Sequence, residues 1–291
     1  MPRLLRDIVL LAATLVALLF GALELGRQLA PHPQDVDAAI GAATRPLRSA
    51  AGRSFYAVLK TGGLLVEEPL LVRAVAAAIT MLPEDRRPAE VHVLALATPN
   101  ALAAPDGAIY LTAGLLATLA SLQQLAAIVS HEVGHVALQH SSEALVRELG
   151  IAGIMGAAGL ADAAAARVLA SVIGASFSRD AEREADEFAH AALAAAGIDP
   201  AVFADALELL AADAATASAA PDASGENGQA RGAGRAVLRY LDTHPGIDQR
   251  ISDARAASRV LARGAWRPTP AEPGGGFSWS AVQRVAAALG R

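Results

Sequence analysis

The chain has 291 residues, a formal net charge of −5 and no cysteine. The length allows one large domain or two modest ones, and the acidic balance gives no support for a nucleic-acid partner. The absence of cysteine excludes disulfides, thiolate catalysis, cysteine-ligated metal sites and a lipid-modified N-terminal cysteine.

Arg3 and Arg6 precede an uncharged run from Ile8 to Leu23, closed by Glu24 and Arg27. The run exceeds an ordinary signal-peptide core and falls slightly short of the roughly 20 residues that span a bilayer comfortably. Bulky residues stand at the first position of both nearby small-residue triplets, so residues 1–29 read as an uncleaved signal anchor, with a cleaved signal peptide as the alternative. Basic residues ahead of the run keep the N-terminus cytoplasmic. The remainder is then expected on the exported, periplasmic side of the inner membrane, or as a soluble periplasmic protein after cleavage.

Pro31-His32-Pro33 separates this segment from residues 30–89, a helical region in which residues 35–82 read as two helices. Glu90 to Thr98 (EVHVLALAT) and Ala108 to Thr112 (AIYLT) read as strands around a loop with Pro99-Asn100 and a Pro105-Asp106-Gly107 turn, together forming a hairpin-like unit. Ser121-Leu122-Gln123-Gln124 is a capping box opening a helix whose apolar residues Leu122, Leu125, Ile128, Val129, Val133 and Val136 recur at helical spacing. Residues 149–174 read as a helical hairpin packed on the core, because Asp162 and Arg167 leave each half too short to span a membrane. A further helix runs from 178 to Gly197. Residues 211–234, rich in Ala, Ser and Gly, read as a flexible loop. The domain of chemical interest spans 90–265, and 266–291 is a Pro/Gly-rich tail with a short helix from Trp279 to Leu289.

Within the capped helix, His131-Glu132-Val133-Gly134-His135 has the H-E-x-x-H pattern. Positions four apart lie about 40° apart around a helix and about 6 Å along it, so both imidazoles face one point. Glu132 is too short to ligate beside them but can reach a water held there, the arrangement by which zinc acidifies water and a carboxylate takes its proton. The set lacks a third ligand. His140 lies nine residues after His131, and in a continuing helix it points about 140° away from His135; it reads as a supporting or helix-surface residue. Downstream, Glu182, Glu184 and Glu187 share one acidic helix, and spacing alone does not choose among them. Asp186, one turn after Glu182, is placed to accept a hydrogen bond from the outward nitrogen of His131.

Four segments, in order, are similar to the gluzincin zinc metallopeptidases of the HtpX, Oma-type and CAAX prenyl protease group, metallopeptidase family forty-eight: NALAAPDGAIYLTAGLL (Asn100 to Leu116), LAAIVSHEVGHVALQH (Leu125 to His140), SRDAEREAD (Ser178 to Asp186) and THPGIDQRI (Thr243 to Ile251). The resemblance covers about residues 90–260. It implies a predominantly helical α+β, zincin-like fold with a small sheet edge beside the H-E-x-x-H helix, and one zinc ion per subunit held by His131, His135 and Glu182. By the same resemblance Glu132 is the general base, Asp186 supports a ligand, and Asn100, Ala101, Leu102 and Ala103 form an edge strand that pairs with an extended protein or peptide substrate. His244 is implied either as an oxyanion-stabilising catalytic group or as a plug on the open metal position, and Arg250 as the ion-pair partner of a buried carboxylate.

The chain lacks the several transmembrane helices of the integral-membrane members, and nothing in it implies a prenylated substrate. The expected activity is metalloendopeptidase cleavage of misfolded or envelope proteins. The alternative is a chaperone-like protein-binding factor whose zinc site His244 keeps closed.

Overall fold

A computed structural model describes residues 48–49, 51–141, 176–219, 240–261, 266 and 276–290. The expected anchor over 1–29 and the helical hairpin over 149–174 lie outside these residues. Among the described residues no helix is long and apolar enough to cross a membrane.

The elements are α1 (residues 51–61), β1 (Leu65–Val66), α2 (Pro69–Thr80), β2 (Val91–Leu94), β3 (Ala101–Ala103), β4 (Ile109–Thr112), α3 (Ala113–Thr118), α4 (Leu122–Ala137), α5 (Arg179–Ala195), α6 (Ala201–Ala219), α7 (Tyr240–Thr243), α8 (Ile247–Leu261) and α9 (Trp279–Leu289). The architecture is α+β and mostly helical, with one four-stranded sheet ordered β1-β2-β4-β3.

The two expected strands are present, but they are not a hairpin. β2 and β4 run parallel, with Val93 opposite Leu111, and the hairpin is formed by β3 and β4, with Leu102 opposite Tyr110. The Pro105-Asp106-Gly107 turn closes it: the amide of Ala104 donates to the carbonyl of Ala108, and Gly107 takes φ 96°, which a residue without Cβ adopts freely. Ala101-Leu102-Ala103 carries no β-branched residue and no alternation over its three positions, so no periodic signal marks it as a strand.

Alternation along β4 divides the core. Ile109 and Leu111 face a large cluster with Leu71, Val75, Leu125 and Ile128 from α2 and α4, whereas Tyr110 faces Phe55 and Leu59 of α1 together with Leu94 and Leu102. The sheet therefore lies between α1 on one face and α2 with α4 on the other. β3, at the end of the sheet, packs beside α4.

Ser121 caps α4 by accepting from the amide of Gln124, and the Gln124 side chain reaches back to the amide of Ala120. α6 continues through Ala219, so the first third of the expected loop over 211–234 is helical; an Ala-rich run has the highest helix propensity, which outweighs the Ser and Thr within it. α9 packs on α3 and α2. Its Trp279 indole donates to the carbonyl of Leu119, and Gln283 donates to the carbonyls of Leu119 and Ala117, satisfying acceptors at the end of α3 that would otherwise be orphaned.

Candidate metal centre

α4 is buried over most of its length, and His131, Glu132 and His135 are all fully buried. α5 crosses it closely. Gly134 makes this possible: a Cβ there would lie 3.0 Å from the Cα and 3.1 Å from the carbonyl oxygen of Ala185. This contact brings Glu182 and Asp186, on either side of Ala185 in α5, against the histidine face of α4. α7 and the turn after it deliver His244, and α8 delivers Arg250.

His131, His135, Glu182 and His244 each offer one donor atom, all lying within 4.8 Å of one another. The Nε2 atoms of His131 and His135 are 3.0 Å apart. Glu182 Oε2 lies 3.5 Å from His131 Nε2, and Oε1 lies 3.4 Å from His135 Nε2. His244 Nδ1 is 3.3 Å from His131 Nε2 and 3.0 Å from Glu182 Oε1.

These spacings test whether a zinc ion fits. Ligand bonds of 2.0–2.2 Å in a tetrahedron place neighbouring donors roughly 3.3–3.6 Å apart; the separations among His131, His135 and Glu182, 3.0–3.5 Å, are within or slightly below that range, and the whole set with His244 lies within 4.8 Å. Charge gives a second test. Glu132, Glu182 and Asp186 are buried with a single guanidinium, that of Arg250, so in the form with all three carboxylates ionised and all imidazoles neutral the site carries an excess of two negative charges. A divalent cation removes this excess. Both carboxylate oxygens of Glu132 are buried without a hydrogen-bond partner among the described residues, 3.6 Å or more from His244 Nε2. A buried carboxylate that accepts no hydrogen bond is costly unless something else belongs beside it.

The outward nitrogens are also occupied. His131 Nδ1 donates to Asp186 Oδ1 at 2.8 Å. Arg250 grips the same carboxylate through Nε and Nη2, both at 2.8 Å, and its Nη1 lies 2.8 Å from Glu182 Oε2. Arg250 is thus the ion-pair partner of two buried carboxylates rather than one. Burial opposes the ionised form of Glu182, but His244 and His135 outweigh it and hold its carboxyl far below the usual range. Burial pushes Glu132 up to about 7 and His135 down to about 4. Burial, assisted by the Arg250 charge, also holds His131 well below its ordinary value. Both histidines therefore present neutral imidazoles at neutral pH, the form that binds a metal. Burial alone would lower His244, yet the carboxylates of Glu182 and Glu132 hold it above its ordinary value.

A match to the model of peptidase family M48 covers residues 70–258, well over half of the 291-residue chain. The chain belongs to peptidase family M48. No curated protein sequence matches it significantly. Membership makes it a metallopeptidase, and the match begins inside the stretch that the sequence reading assigned to a separate N-terminal helical region.

In this M48 chain the fold gathers six of the expected site residues: His131, Glu132, His135, Glu182, Asp186 and His244. Asn100, Ala101, Leu102 and Ala103 are not among the converging donors; β3 packs beside α4, the helix that carries His131 and His135. They form β3 and its entry and are buried, and the amide of Tyr240 donates to the carbonyl of Pro99, next to Asn100, at 3.1 Å. A cleft of about 290 Å³ runs between the β3–β4 turn (Pro105, Asp106, Gly107) and the end of α4 (Val136, Gln139), with His135 in its wall.

Three contributors escaped the sequence reading. Phe177 stacks on the His135 ring at 3.9 Å between centroids. Tyr240 stacks on His244 at 4.2 Å, and its buried hydroxyl has no hydrogen-bond partner among the described residues. Gly134 sets the helix approach. Of these, Tyr240 had a visible signal, standing one helical turn before His244; the other two become legible only when the partner element is known.

Proposed function

We propose that this protein is a zinc-dependent endopeptidase in which His131, His135 and Glu182 hold the ion and Glu132 acts as general base. The observation that carries the reading is the Glu132 carboxylate, buried without a hydrogen bond among the described residues beside four converging donor atoms. Zinc, when bound, lowers the pKa of a water and polarises the scissile carbonyl. Glu132 takes the proton of the attacking water and returns it to the leaving nitrogen. In the metal-free site burial raises its carboxyl to about 7. Asp186 and Arg250 keep the His131 ring turned with Nε2 inward.

His244 Nδ1 lies 3.3 Å from His131 Nε2 and 3.0 Å from Glu182 Oε1, inside the donor cluster. This supports a resting state in which His244 fills the fourth position and must withdraw for substrate to enter. β3, the terminal strand of the sheet, offers a main-chain edge to an extended protein substrate, which would account for weak side-chain selectivity. Residues 1–29 would anchor the enzyme in the inner membrane with this domain exported, where misfolded envelope proteins are the expected substrates.

Cleavage of casein by the purified full chain, abolished by Glu132→Gln and by zinc loss on Glu182→Ala, is the expected result. His244→Ala raises the rate if His244 is a plug and lowers it if His244 stabilises the oxyanion. The closed arrangement of His244 also favours a second reading, a chaperone-like factor. It gains if neither the wild type nor His244→Ala cleaves an unfolded protein while both bind it.

A further inference from the structure

On the assumption that α4 continues, the sequence turns His140 about 140° away from His135 and reads it as a supporting or helix-surface residue. α4 instead stops at Ala137, and Gln139 adopts a left-handed backbone, φ 62°, the only non-glycine residue with positive φ among those described. The chain doubles back, and His140 returns to the site almost fully buried, 7% exposed. Its Nδ1 lies 3.0 Å from His135 Nδ1, and its Nε2 lies 3.4 Å from Glu184 Oε2.

We propose that His140 and Glu184 form a hydrogen-bonded relay that fixes the tautomer of His135 and holds its Nε2 toward the metal. The inference rests on the metal-binding reading above. Two imidazole nitrogens 3.0 Å apart need one proton between them, and two assignments are possible. If His135 is a ligand, its Nε2 is unprotonated, so the single proton of the neutral ring sits on Nδ1. His140 Nδ1 is then the acceptor, the proton of His140 sits on Nε2, and that N–H points at the Glu184 carboxylate. Every donor meets an acceptor. In the reverse assignment His140 Nδ1–H donates, the proton of His135 moves to Nε2 where the ion belongs, and an unprotonated His140 Nε2 faces a carboxylate. Only the first set is compatible with ligation.

α5 therefore supplies carboxylates to both sides of the centre. Asp186 orients His131, and Glu184, two residues earlier, orients His135 through His140. His140 and Glu184 are positioning residues. Neither donor set needs them as ligands, and they act by keeping one lone pair aimed inward.

The test is zinc affinity of the full chain in detergent, measured by competition with a chromogenic chelator. Loss of such a supporting partner typically weakens metal binding 10–100-fold, and His140→Ala is expected in that range. In His140→Asn the amide oxygen sits where Nδ1 was and still accepts from His135, so most of the affinity returns. Glu184→Ala, at a half-exposed position, is expected to cost less than tenfold, and that cost disappears in the His140→Ala background. A purely structural role would give additive losses and no return with Asn. If His140→Ala fails to fold, Glu184→Ala alone and with His140→Asn carries the test: in the Asn background, whose side chain does not reach Glu184, the Glu184 effect must vanish. A wild-type chain that takes up no divalent ion overturns the metal-binding reading and the relay with it. A wild-type chain that binds one ion, beside variants of unchanged affinity or additive losses, overturns the relay alone.

Discussion

The two histidines of the H-E-x-x-H helix, one turn apart and chemically identical, are held in different ways. His131 faces inward. Asp186 accepts from it, Arg250 clamps Asp186 from a third helix, and all three are at most 5% exposed. His135 faces the cleft, covered by the Phe177 ring and held by His140, whose own partner Glu184 is half in solvent. The inner side is fixed by buried charge, the outer side by neutral rings and a screened carboxylate. Anchoring and exposure are thus divided between the two: one histidine is anchored to the core, while the other borders the cleft beside the β3–β4 turn.

The largest expected effect lies on the inner side. Arg250→Ala leaves Asp186 and Glu182 buried without their cation, and removing one partner of a buried charged network typically costs about 3–5 kcal/mol. Denaturant unfolding of the metal-free protein measures it. Glu184→Ala, on the outer side, is expected to change fold stability by less than about 1 kcal/mol, since exposed ion pairs contribute little. Equal losses from the two variants would erase the distinction between the sides.

A second effect comes from between them, at Glu132. Its folded carboxyl is raised from 4.5 to about 7 by burial, so between those values the folded state holds a proton that the unfolded state has released. Stability of the metal-free protein therefore falls as pH rises from about 4.5 to 7, by about 3 kcal/mol. His131 and His135, whose values are lowered, act in the opposite direction as pH rises toward 6.5. The measurable quantity is thus the difference between wild type and Glu132→Gln. The variant is expected to gain on the wild type steadily across that window, and parallel pH profiles would show that Glu132 is not desolvated.

This division was only partly readable from the sequence. Local signals were clear: the Ser121 capping box opens α4, the helix expected from 178 to 197 is found as α5, and the strands at 91–94 and 109–112 lie within their expected stretches. The inner partner was also accessible, because Asp186 lies one turn from Glu182 on a regular helix. The outer partner was only half so, since His140 reads as either a supporting or a helix-surface residue. Helix periodicity extrapolates only while the helix lasts, and the signal that usually ends one, a glycine in the left-handed conformation, is absent at Gln139. The parallel pairing of β2 with β4 was hidden for a similar reason, since the strand between them in sequence is three residues with no pattern. The choice of Glu182 over Glu184 and Glu187 needed the resemblance to known peptidases. Geometry now separates the three by partner: Glu182 faces the donor cluster, Glu184 faces His140, and Glu187 pairs with Arg183 at the surface.

The smallest expected effect examines the turn on which the outer side depends. Gln139 in the left-handed region carries a backbone cost of about 1 kcal/mol that glycine would not. Glycine gives back about 0.4–1 kcal/mol of this through the greater freedom of the unfolded chain. Gln139→Gly is therefore expected to leave stability unchanged or raise it by less than about 1 kcal/mol, with His140 still seated on His135. Gln139→Val keeps a side chain of moderate size but is β-branched, and such residues tolerate positive φ worst. It should lower stability by about 1–2 kcal/mol and weaken metal binding as His140 is displaced. Thermal melting and metal affinity, read on both variants, separate the backbone from the side chain. If Gly and Val behave alike in both, the left-handed turn does not position His140, and the outer histidine owes its orientation to Phe177 alone.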